Sequence, residues 1–276
     1  MASTNLLQSS SISCTLLPHL SRHISHSTNL RLYHSSSSSN NQSLSFKTLK
    51  GTPLLDVSAH AKRRFTSKEV EVASPSDLLF ESPLKIVEYP DPILRAANRK
   101  IDTFDDNLKK LADEMFDIMY KTDGIGLSAP QVGINVQLMV FNPEGERGIG
   151  DEIVLVNPRI SKVSQKKVHF EEGCLSFPGI YADVERPESV KIDARDISGE
   201  RFTISLSKLP ARIFQHEFDH LEGTLFFDRM TEDVIDSIRA QLQALEKKYE
   251  DKTGVPSPEK VDNRRRLRVV AGFGQS

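Results

Sequence analysis

Residues 216–220 constrain what this chain can be more than any other part of the sequence, because they spell His-Glu-Phe-Asp-His. On a helix, residues four positions apart lie on one face, so His216 and His220 are placed to hold a single metal ion. Glu217 then lies beside them, where its carboxylate can take a proton from a water bound to that metal. Ser207 as an N-cap and Gly223 after the last turn favour a helix here. The pattern predicts a metal-binding helix that carries its own general base.

Cys174 is the candidate for a third metal ligand. The chain contains two cysteines, Cys14 and Cys174, and the second follows a glycine and two acidic residues. Most isolated cysteines are small buried hydrophobic residues, and that interpretation stays open for Cys174. If Cys174 binds metal instead, one cysteine and two histidines leave a fourth position for water. That is the arrangement of a catalytic rather than a structural site.

A glycine-rich segment, residues 123–133, is the third feature with a chemical interpretation. A tight turn between a helix and a strand explains it equally well, and it lacks the third glycine of a dinucleotide-binding loop. On the functional interpretation, its glycines allow the backbone to approach a ligand closely. Gln131 would then hydrogen-bond a carbonyl or a developing oxyanion.

These three segments together resemble the peptide deformylases. The motifs of that family are present in order, as GIGLSAPQ (124–131), EGCLS (172–176) and QHEFDH (215–220). The resemblance spans about residues 82 to 230. Ser128 stands where the family usually has alanine, a small-for-small change that puts no catalytic role of the motifs in doubt. The region from Tyr181 to Arg186 also differs among branches of the family.

The resemblance implies a role for each residue that matches a motif. Three residues would ligate the metal: Cys174, His216 and His220. Glu217 would be the general base towards the metal-bound water that attacks the formyl carbon, and then the acid that protonates the leaving amine. Gln131 and the backbone N–H of Leu175 would stabilise the oxyanion. The reaction would remove the formyl group from the N-terminal N-formyl-methionine of nascent peptides.

The resemblance also implies a cofactor and a substrate pocket. A thiolate with two imidazoles suits Fe(II), Zn(II), Co(II) or Ni(II), and the resemblance favours Fe(II). The backbone of Gly126 would contact the substrate peptide. Three apolar residues near the motifs are expected to line the methionine pocket, although core packing explains each of them equally well: Ile125, Phe170 and Ile213.

Two other functions stay open on the residues alone. A metalloprotease that cleaves internal peptide bonds would share the His-Glu-x-x-His helix, but it would want Glu or His as the third ligand rather than Cys174. A protein that only binds peptide amino termini or the ribosome would have no use for a proton carrier such as Glu217. We therefore expect a metal-dependent amidohydrolase of the deformylase type.

Residues 1–75 are predicted to be a disordered transit peptide. No Asp or Glu occurs before Asp56, serine is abundant, and four basic residues supply positive charge. An acid-poor, serine-rich, basic N-terminus is typical of organelle targeting, and a Ser-rich tail without a targeting role is the alternative. We expect the chloroplast stroma, with the mitochondrion as a second destination. Cleavage is expected between about residues 55 and 80, where acidic residues return.

Residues 76–250 are predicted to form the catalytic domain, of α+β class. Helical spacing predicts helices at 105–121 and from Thr231 to about Tyr249, and strand patterns occur at 136–141, 153–156, 168–170, 190–194 and 202–204. Small antiparallel or mixed sheets would surround a central His-Glu-x-x-His helix. The net charge is −2, and no apolar stretch is long enough for membrane insertion. Without the N-terminus one cysteine remains, which fits a reducing compartment.

Residues 251–276 are predicted to be a basic mobile tail. The segment contains two prolines and the run Arg-Arg-Arg-Leu-Arg at 264–268. A solvated end without a partner is one interpretation. The other is a weak, salt-sensitive contact with ribosomal RNA, since a deformylase acts on nascent chains.

Overall fold

In the computed structural model, which describes residues 71–263, helices and strands combine in one α+β arrangement. The helices are α1 (Asp106–Lys121), α2 (Lys208–Leu221) and α3 (Glu232–Thr253). The strands are β1 (Gly126–Ser128), β2 (Leu138–Phe141), β3 (Ile153–Val163), β4 (Lys167–Cys174), β5 (Phe177–Pro187), β6 (Ser189–Arg195) and β7 (Arg201–Ser207). Short 3₁₀ turns occupy Pro75–Leu78, Pro92–Arg95, Ala129–Val132 and Phe226–Arg229.

The strands form two antiparallel sheets. One sheet has the order β1-β2-β3-β6-β7, and the other is the hairpin of β4 and β5. Helix α2 starts directly after β7, with Ser207 at its N-cap and Gly223 just beyond its end, as predicted. It packs between the sheets, against β1 and β2 on one side and β5 on the other. The predicted α+β class, with small antiparallel sheets around the His-Glu-x-x-His helix, is confirmed.

Alternation along the strands explains why α2 takes this central position. In β6, residues that point inwards are buried and their neighbours are exposed, as expected for a sheet with one covered face. The inward side chains of Val190 and Ile192 pack with Phe214 and Leu221 of α2. The large sheet therefore holds the apolar face of α2, which leaves the opposite face of this helix towards the hairpin.

The apolar stripe of helix α3 packs against a buried aromatic cluster. Ile238, Leu242 and Leu245 are buried in one cluster with the aromatic residues Tyr89 and Phe177. Val234 is only partly buried at the edge of that cluster. The stripe thus covers the outer side of the hairpin that carries Cys174.

Four of the five predicted strands lie inside longer observed ones, whereas the strand predicted at 136–141 is observed only as the shorter β2. Two strands were missed. β1 falls in the glycine-rich segment, where we expected a loop. This strand is only three residues long and is stabilised by its pairing with β2, so its own sequence pattern is too short to predict it. β5 was missed because Pro178 and Gly179 break the start of its pattern. Its later residues alternate between buried and exposed positions, as a strand with one covered face requires.

The chain packs beyond both predicted domain boundaries. Residue 250 falls inside α3, and after this helix the chain folds back so that Val261 is buried and donates its N–H to Glu246 Oε1 at 2.7 Å. At the other end Ala73 is buried and donates to Lys100 O at 2.7 Å. Most of the predicted transit peptide, through residue 70, and the basic run at 264–268 lie outside the described residues. Within residues 71–263, no helix combines the length and apolar character that crossing a membrane requires.

Shortening Leu242 to alanine should destabilise the domain by about 3 kcal/mol, because its fully buried side chain would leave a cavity between α3 and the hairpin. Urea unfolding of the metal-free protein measures the change. Leu79, which is 64% exposed, provides the matched control, and its replacement by alanine should change stability by less than about 0.5 kcal/mol. Equal losses in the two variants would contradict the packing described for α3.

Candidate metal centre

Helix α2 and the end of β4 bring three ligand-type side chains together. Cys174 Sγ and one nitrogen from each of His216 and His220 all lie within 4.8 Å of one another. Cys174 Sγ is 3.3 Å from His220 Nε2, and the two imidazole rings are 5.2 Å apart between centroids. The helix places the histidines one turn apart on the same face, and the hairpin carries the cysteine to that face.

This donor set fits a metal ion. A tetrahedral ion with bonds of about 2.0 to 2.3 Å holds its ligand atoms about 3.5 Å apart, and Cys174 Sγ and His220 Nε2 are 3.3 Å apart. Both histidines are buried, so their ring nitrogens need partners other than bulk water. His220 Nδ1 has no hydrogen-bond partner among the described residues, whereas His216 Nδ1 is 3.0 Å from Glu172 Oε2. The second contact leaves His216 Nε2 available to the ion.

Glu172 is the buried carboxylate behind the first histidine. Besides His216, it accepts hydrogen bonds from two arginines: Arg186 Nε and Nη2, at 2.7 and 3.0 Å, and Arg212 Nη1 at 2.6 Å. Arg186 extends from β5 and Arg212 from α2. The carboxylate therefore joins both strands of the hairpin to the helix and fixes the ring orientation of His216.

Arg186 continues this network to a second acidic residue of α2. Its Nη1 donates to Asp219 Oδ2 at 2.7 Å, and Arg229 Nε donates to the same oxygen at 3.0 Å. Asp219 is the fourth residue of the His-Glu-x-x-His motif and is buried. A charge that is buried in this way is tolerated because it is paired and fully hydrogen-bonded.

The network shifts the protonation of its members. Burial by itself would raise the pKa of Glu172, but the hydrogen bond from His216 and the charge of Arg186 hold that pKa well below its usual value. Burial would also lower the pKa of His216, but Cys174 and Glu172 raise it well above its usual value. For His220, burial and the positive charges of His216 and Arg186 all lower the pKa. A cation between the three ligand atoms would take the place of the proton that these charges attract to His216.

Glu217 is buried beside the ligands, and it touches the glycine-rich segment rather than the hairpin. Ser128 Oγ donates to Glu217 Oε2 at 2.5 Å. On the other side, a Cβ atom on Gly126 would lie 2.8 Å from Glu217 Oε1, so only glycine fits there without displacing the carboxylate. Burial raises the pKa of Glu217, although the charge of His216 and the Ser128 hydrogen bond oppose the shift. A carboxyl with a raised pKa is suited to exchange protons near neutral pH.

Gln131 points its amide towards the same place. Its Oε1 accepts the backbone N–H of Ser128 at 2.9 Å, and its Nε2 lies 3.6 Å from Cys174 Sγ and 3.4 Å from Ser176 Oγ. Leu175, the next residue after Cys174, packs its side chain against the core formed by α1 and β2. All three sequence motifs therefore meet at one point.

The residues predicted for a methionine pocket do not all lie together. Ile213 is buried in the cluster between α2 and the large sheet, and Ile125 packs against that cluster. Ile213 also contacts Gly126, since a Cβ there would be 2.7 Å from its Cγ2 atom. Phe170 is 42% exposed on the hairpin, with the Arg212 guanidinium 5.3 Å above its ring. Phe170 is thus near the site through Arg212 and is not a member of the isoleucine cluster.

Sequence reasoning missed four polar residues of the site: Ser128, Arg186, Arg212 and Asp219. One of them had a readable signal. Ala182, Val184 and Arg186 share the buried face of β5, so recognition of this strand would have predicted an inward arginine. Two acidic residues precede the glycine before Cys174 in the sequence, and Glu172 is the one that binds the arginines. For Ser128, nothing in the sequence indicates a contact with Glu217.

Comparisons with known proteins agree on one family. The family model for polypeptide deformylase matches residues 83–234. A protein of Arabidopsis thaliana named peptide deformylase 1B, chloroplastic/mitochondrial, is 69% identical over 229 residues, which cover 83% of this chain and 84% of that protein. Peptide deformylase 1B, chloroplastic, of Solanum lycopersicum is 61% identical and covers 100% of this chain and 99% of its own length. A crystal structure of a plant peptide deformylase 1B is 78% identical, with a TM-score of 0.65, and covers 66% of this chain and 99% of its own.

Replacing Glu172 with glutamine should lower metal affinity about 10-fold to 100-fold, since His216 loses its carboxylate partner. The variant should also change the acid stability of the metal-free protein. Because the pKa of Glu172 is lower in the folded than in the unfolded chain, its stabilising effect is complete above the unfolded value of about 4.3 and disappears as the pH falls below it.

Urea unfolding between pH 7 and pH 3 and a chelator competition assay would test both effects. Glu171→Gln is the matched control, because this neighbouring carboxylate is exposed. The stability gap between wild type and Glu172→Gln should be constant at neutral pH and narrow in acid. A gap that stays constant down to pH 3, or an equal gap for Glu171→Gln, would contradict the role of the buried network.

Proposed function

This chain belongs to the peptide deformylase family, whose members are metal-dependent hydrolases that remove the N-formyl group from nascent peptides. We propose that Cys174, His216 and His220 hold its metal and that Glu217 carries the proton in the reaction. The chain is a peptide deformylase. The observation that carries the assignment of residues is the convergence of the three ligand atoms within 4.8 Å, with the buried Glu217 next to them in the chain. A metalloprotease of the same helical motif would not be expected to recruit a cysteine for this position.

The residues divide the chemistry between them. A divalent ion held by Cys174, His216 and His220 would lower the pKa of water to about 7 and so supply the nucleophile at neutral pH. Glu217 would accept the proton that the attacking water loses and would later deliver it to the nitrogen of the leaving amine. The water oxygen forms a bond to the formyl carbon, the C–N bond of the formamide then breaks, formate leaves, and the peptide keeps a free amino terminus.

Two donors are proposed for the negative charge that develops on the formyl oxygen. They are the Nε2 amide of Gln131 and the backbone N–H of Leu175. The contact of Gln131 Oε1 with the Ser128 N–H supports this role, because it turns Nε2 towards Cys174 before substrate arrives. A hydrogen-bond donor that is oriented before the reaction lowers the activation free energy by roughly 3 kcal/mol in comparable sites.

We propose Fe(II) as the native metal. A soft thiolate beside two imidazoles suits late first-row divalent ions, and Zn(II), Co(II) and Ni(II) share the same preference. The exposed fraction of His216 is 8% and that of His220 is 1%, so the ion would be shielded from bulk water on the side of the helix.

The methionine side chain of the substrate is proposed to lie near Ile125, Ile213 and Phe170, with the peptide backbone against Gly126. Ile125 and Ile213 share one apolar cluster beside Gly126, which supports this placement. Phe170 would contribute from the hairpin side. An apolar pocket excludes charged side chains, because burial of an unpaired charge is costly.

The two ends of the sequence are the basis for the proposed cellular location and for a proposed contact with ribosomal RNA. The plant relatives are named as chloroplastic or chloroplastic/mitochondrial, which supports an organellar location. We propose the chloroplast stroma, with the mitochondrion as a second site, where translation supplies formyl-methionyl peptides. The arginines at 264–268 are proposed to give a weak contact with ribosomal RNA, lost at high salt.

Formate release from a formyl-Met peptide by anaerobically purified protein tests the residue roles. Glu217→Gln should keep its metal while turnover falls at least about 100-fold, because the side chain keeps its size but loses the base. Cys174→Ala should lose metal and activity together. Elemental analysis and formate production are the two measurements.

Glu222→Gln, an exposed position just after α2, is the matched control and should have normal turnover. Near-normal turnover of Glu217→Gln would remove Glu217 as the proton carrier. Full metal occupancy in Cys174→Ala would remove Cys174 as a ligand. Cleavage of internal bonds in unformylated peptides would favour the metalloprotease alternative.

Residues 1–80, fused to a fluorescent reporter, should carry it into chloroplasts, and a smaller fraction into mitochondria. The physical reason is that residues 1–55 of this segment contain no Asp or Glu and are rich in serine and basic residues. Microscopy with organelle markers measures the distribution. A control fusion replaces with glutamate the four Lys and Arg residues of the acid-free part, residues 1–55: Arg22, Arg31, Lys47 and Lys50. A reporter that stays in the cytosol, or a glutamate variant that is imported equally well, would contradict the prediction.

A further inference from the structure

Ser128 lies where the proton carrier and the oxyanion donor meet. It is the last residue of β1, it is fully buried, and the 3₁₀ turn that contains Gln131 starts at the next residue. Its backbone position is fixed by antiparallel pairing with Met139 of β2. A polar residue that is fully buried needs partners, and the partners of Ser128 are both groups of the reaction.

The hydroxyl of Ser128 contacts Glu217 twice. Its Oγ is 2.5 Å from Glu217 Oε2 and 2.9 Å from the backbone oxygen of Glu217. A serine hydroxyl has one proton to donate, and an ionised carboxylate is a stronger acceptor than a backbone carbonyl. The side chain of Glu217 is thus held by Ser128 on one oxygen and lies against Gly126 at the other, where an added Cβ would be 2.8 Å from Oε1.

The backbone of Ser128 orients the second group. Its N–H donates to Gln131 Oε1 at 2.9 Å. The two ends of an amide point in different directions, so a partner on Oε1 directs Nε2 towards Cys174. One residue on a rigid strand end therefore sets the orientation of both Glu217 and Gln131.

We propose that Ser128 is a positioning residue that uses its hydroxyl to hold the Glu217 carboxylate and its backbone N–H to aim Gln131 in the deformylation reaction. The inference rests on the proposed role of Glu217. Alanine at this position keeps the N–H and loses only the hydroxyl. The change therefore frees Glu217 to adopt other rotamers while the orientation of Gln131 is kept.

A double-mutant cycle separates this role from a structural one. Ser128→Ala should lower kcat about tenfold, a fraction of what general acid–base catalysis supplies, with KM unchanged. Metal content by elemental analysis should match wild type, because Ser128 touches none of the three proposed ligands, and thermal unfolding should show that the variant is folded. In the Glu217→Gln background the same change should alter kcat by less than about twofold, since the proton carrier is already absent.

The matched control is Ser257→Ala, which removes another buried serine hydroxyl, one that donates to Glu259 O away from the site. Its kcat should equal that of wild type. A Ser128→Ala enzyme with unchanged kcat would overturn the inference, as would an equal loss in both backgrounds. Loss of metal or a raised KM would also overturn it. Near-normal turnover of Glu217→Gln alone would overturn the proposed role of Glu217, and the inference with it.

Discussion

The hydrogen bonding of the Glu172 carboxylate is the interaction on which the rest of the site depends. Glu172 and Cys174 are two residues apart on β4, so whatever fixes the carboxylate also fixes the strand that delivers the thiol. The carboxylate is bound by His216 and Arg212 from the helix and by Arg186 from the other strand of the hairpin. One buried anion thereby aligns the two segments that supply all three proposed metal ligands.

This buried network fixes the positions of the proposed metal ligands more than it adds to the free energy of unfolding. Removing two arginines and two carboxylates from water is costly, and their mutual attraction only partly offsets the cost. Asp219, bound by Arg186 and Arg229, extends the same cluster along the helix. The glycine-rich segment reaches the helix separately, through Ser128 and the close approach of Gly126. Helix α2 is thus held from two sides. The ion pair of Arg186 with Asp219 holds it on one side, and the Ser128 hydroxyl and the close approach of Gly126 hold it on the other.

The long, periodic elements were predictable because each carries its information locally. The apolar spacing of α1 and α3, and the capping residues of α2, depend on neighbours within one or two turns. The strands β1 and β5 could not be predicted in this way. Their own sequence patterns are short or interrupted, and pairing with β2 and β4 stabilises them. Likewise, the chain after Thr253 has the composition of a tail, yet burial of Val261 and its bond to Glu246 attach it to the domain.

By itself the sequence determined the proposed chemistry, since the spacing of His216 and His220 on a helix, the glutamate between them and one cysteine predict a donor set and a base. It also determined the fold class. Only the tertiary structure decided which polar residues surround that donor set. The partners of Glu172, Glu217 and Gln131 are distant in the chain or differ from the expected residue, and they meet because two sheets close on one helix. Contacts of that kind depend on how elements pack against each other, which no local pattern of residues encodes.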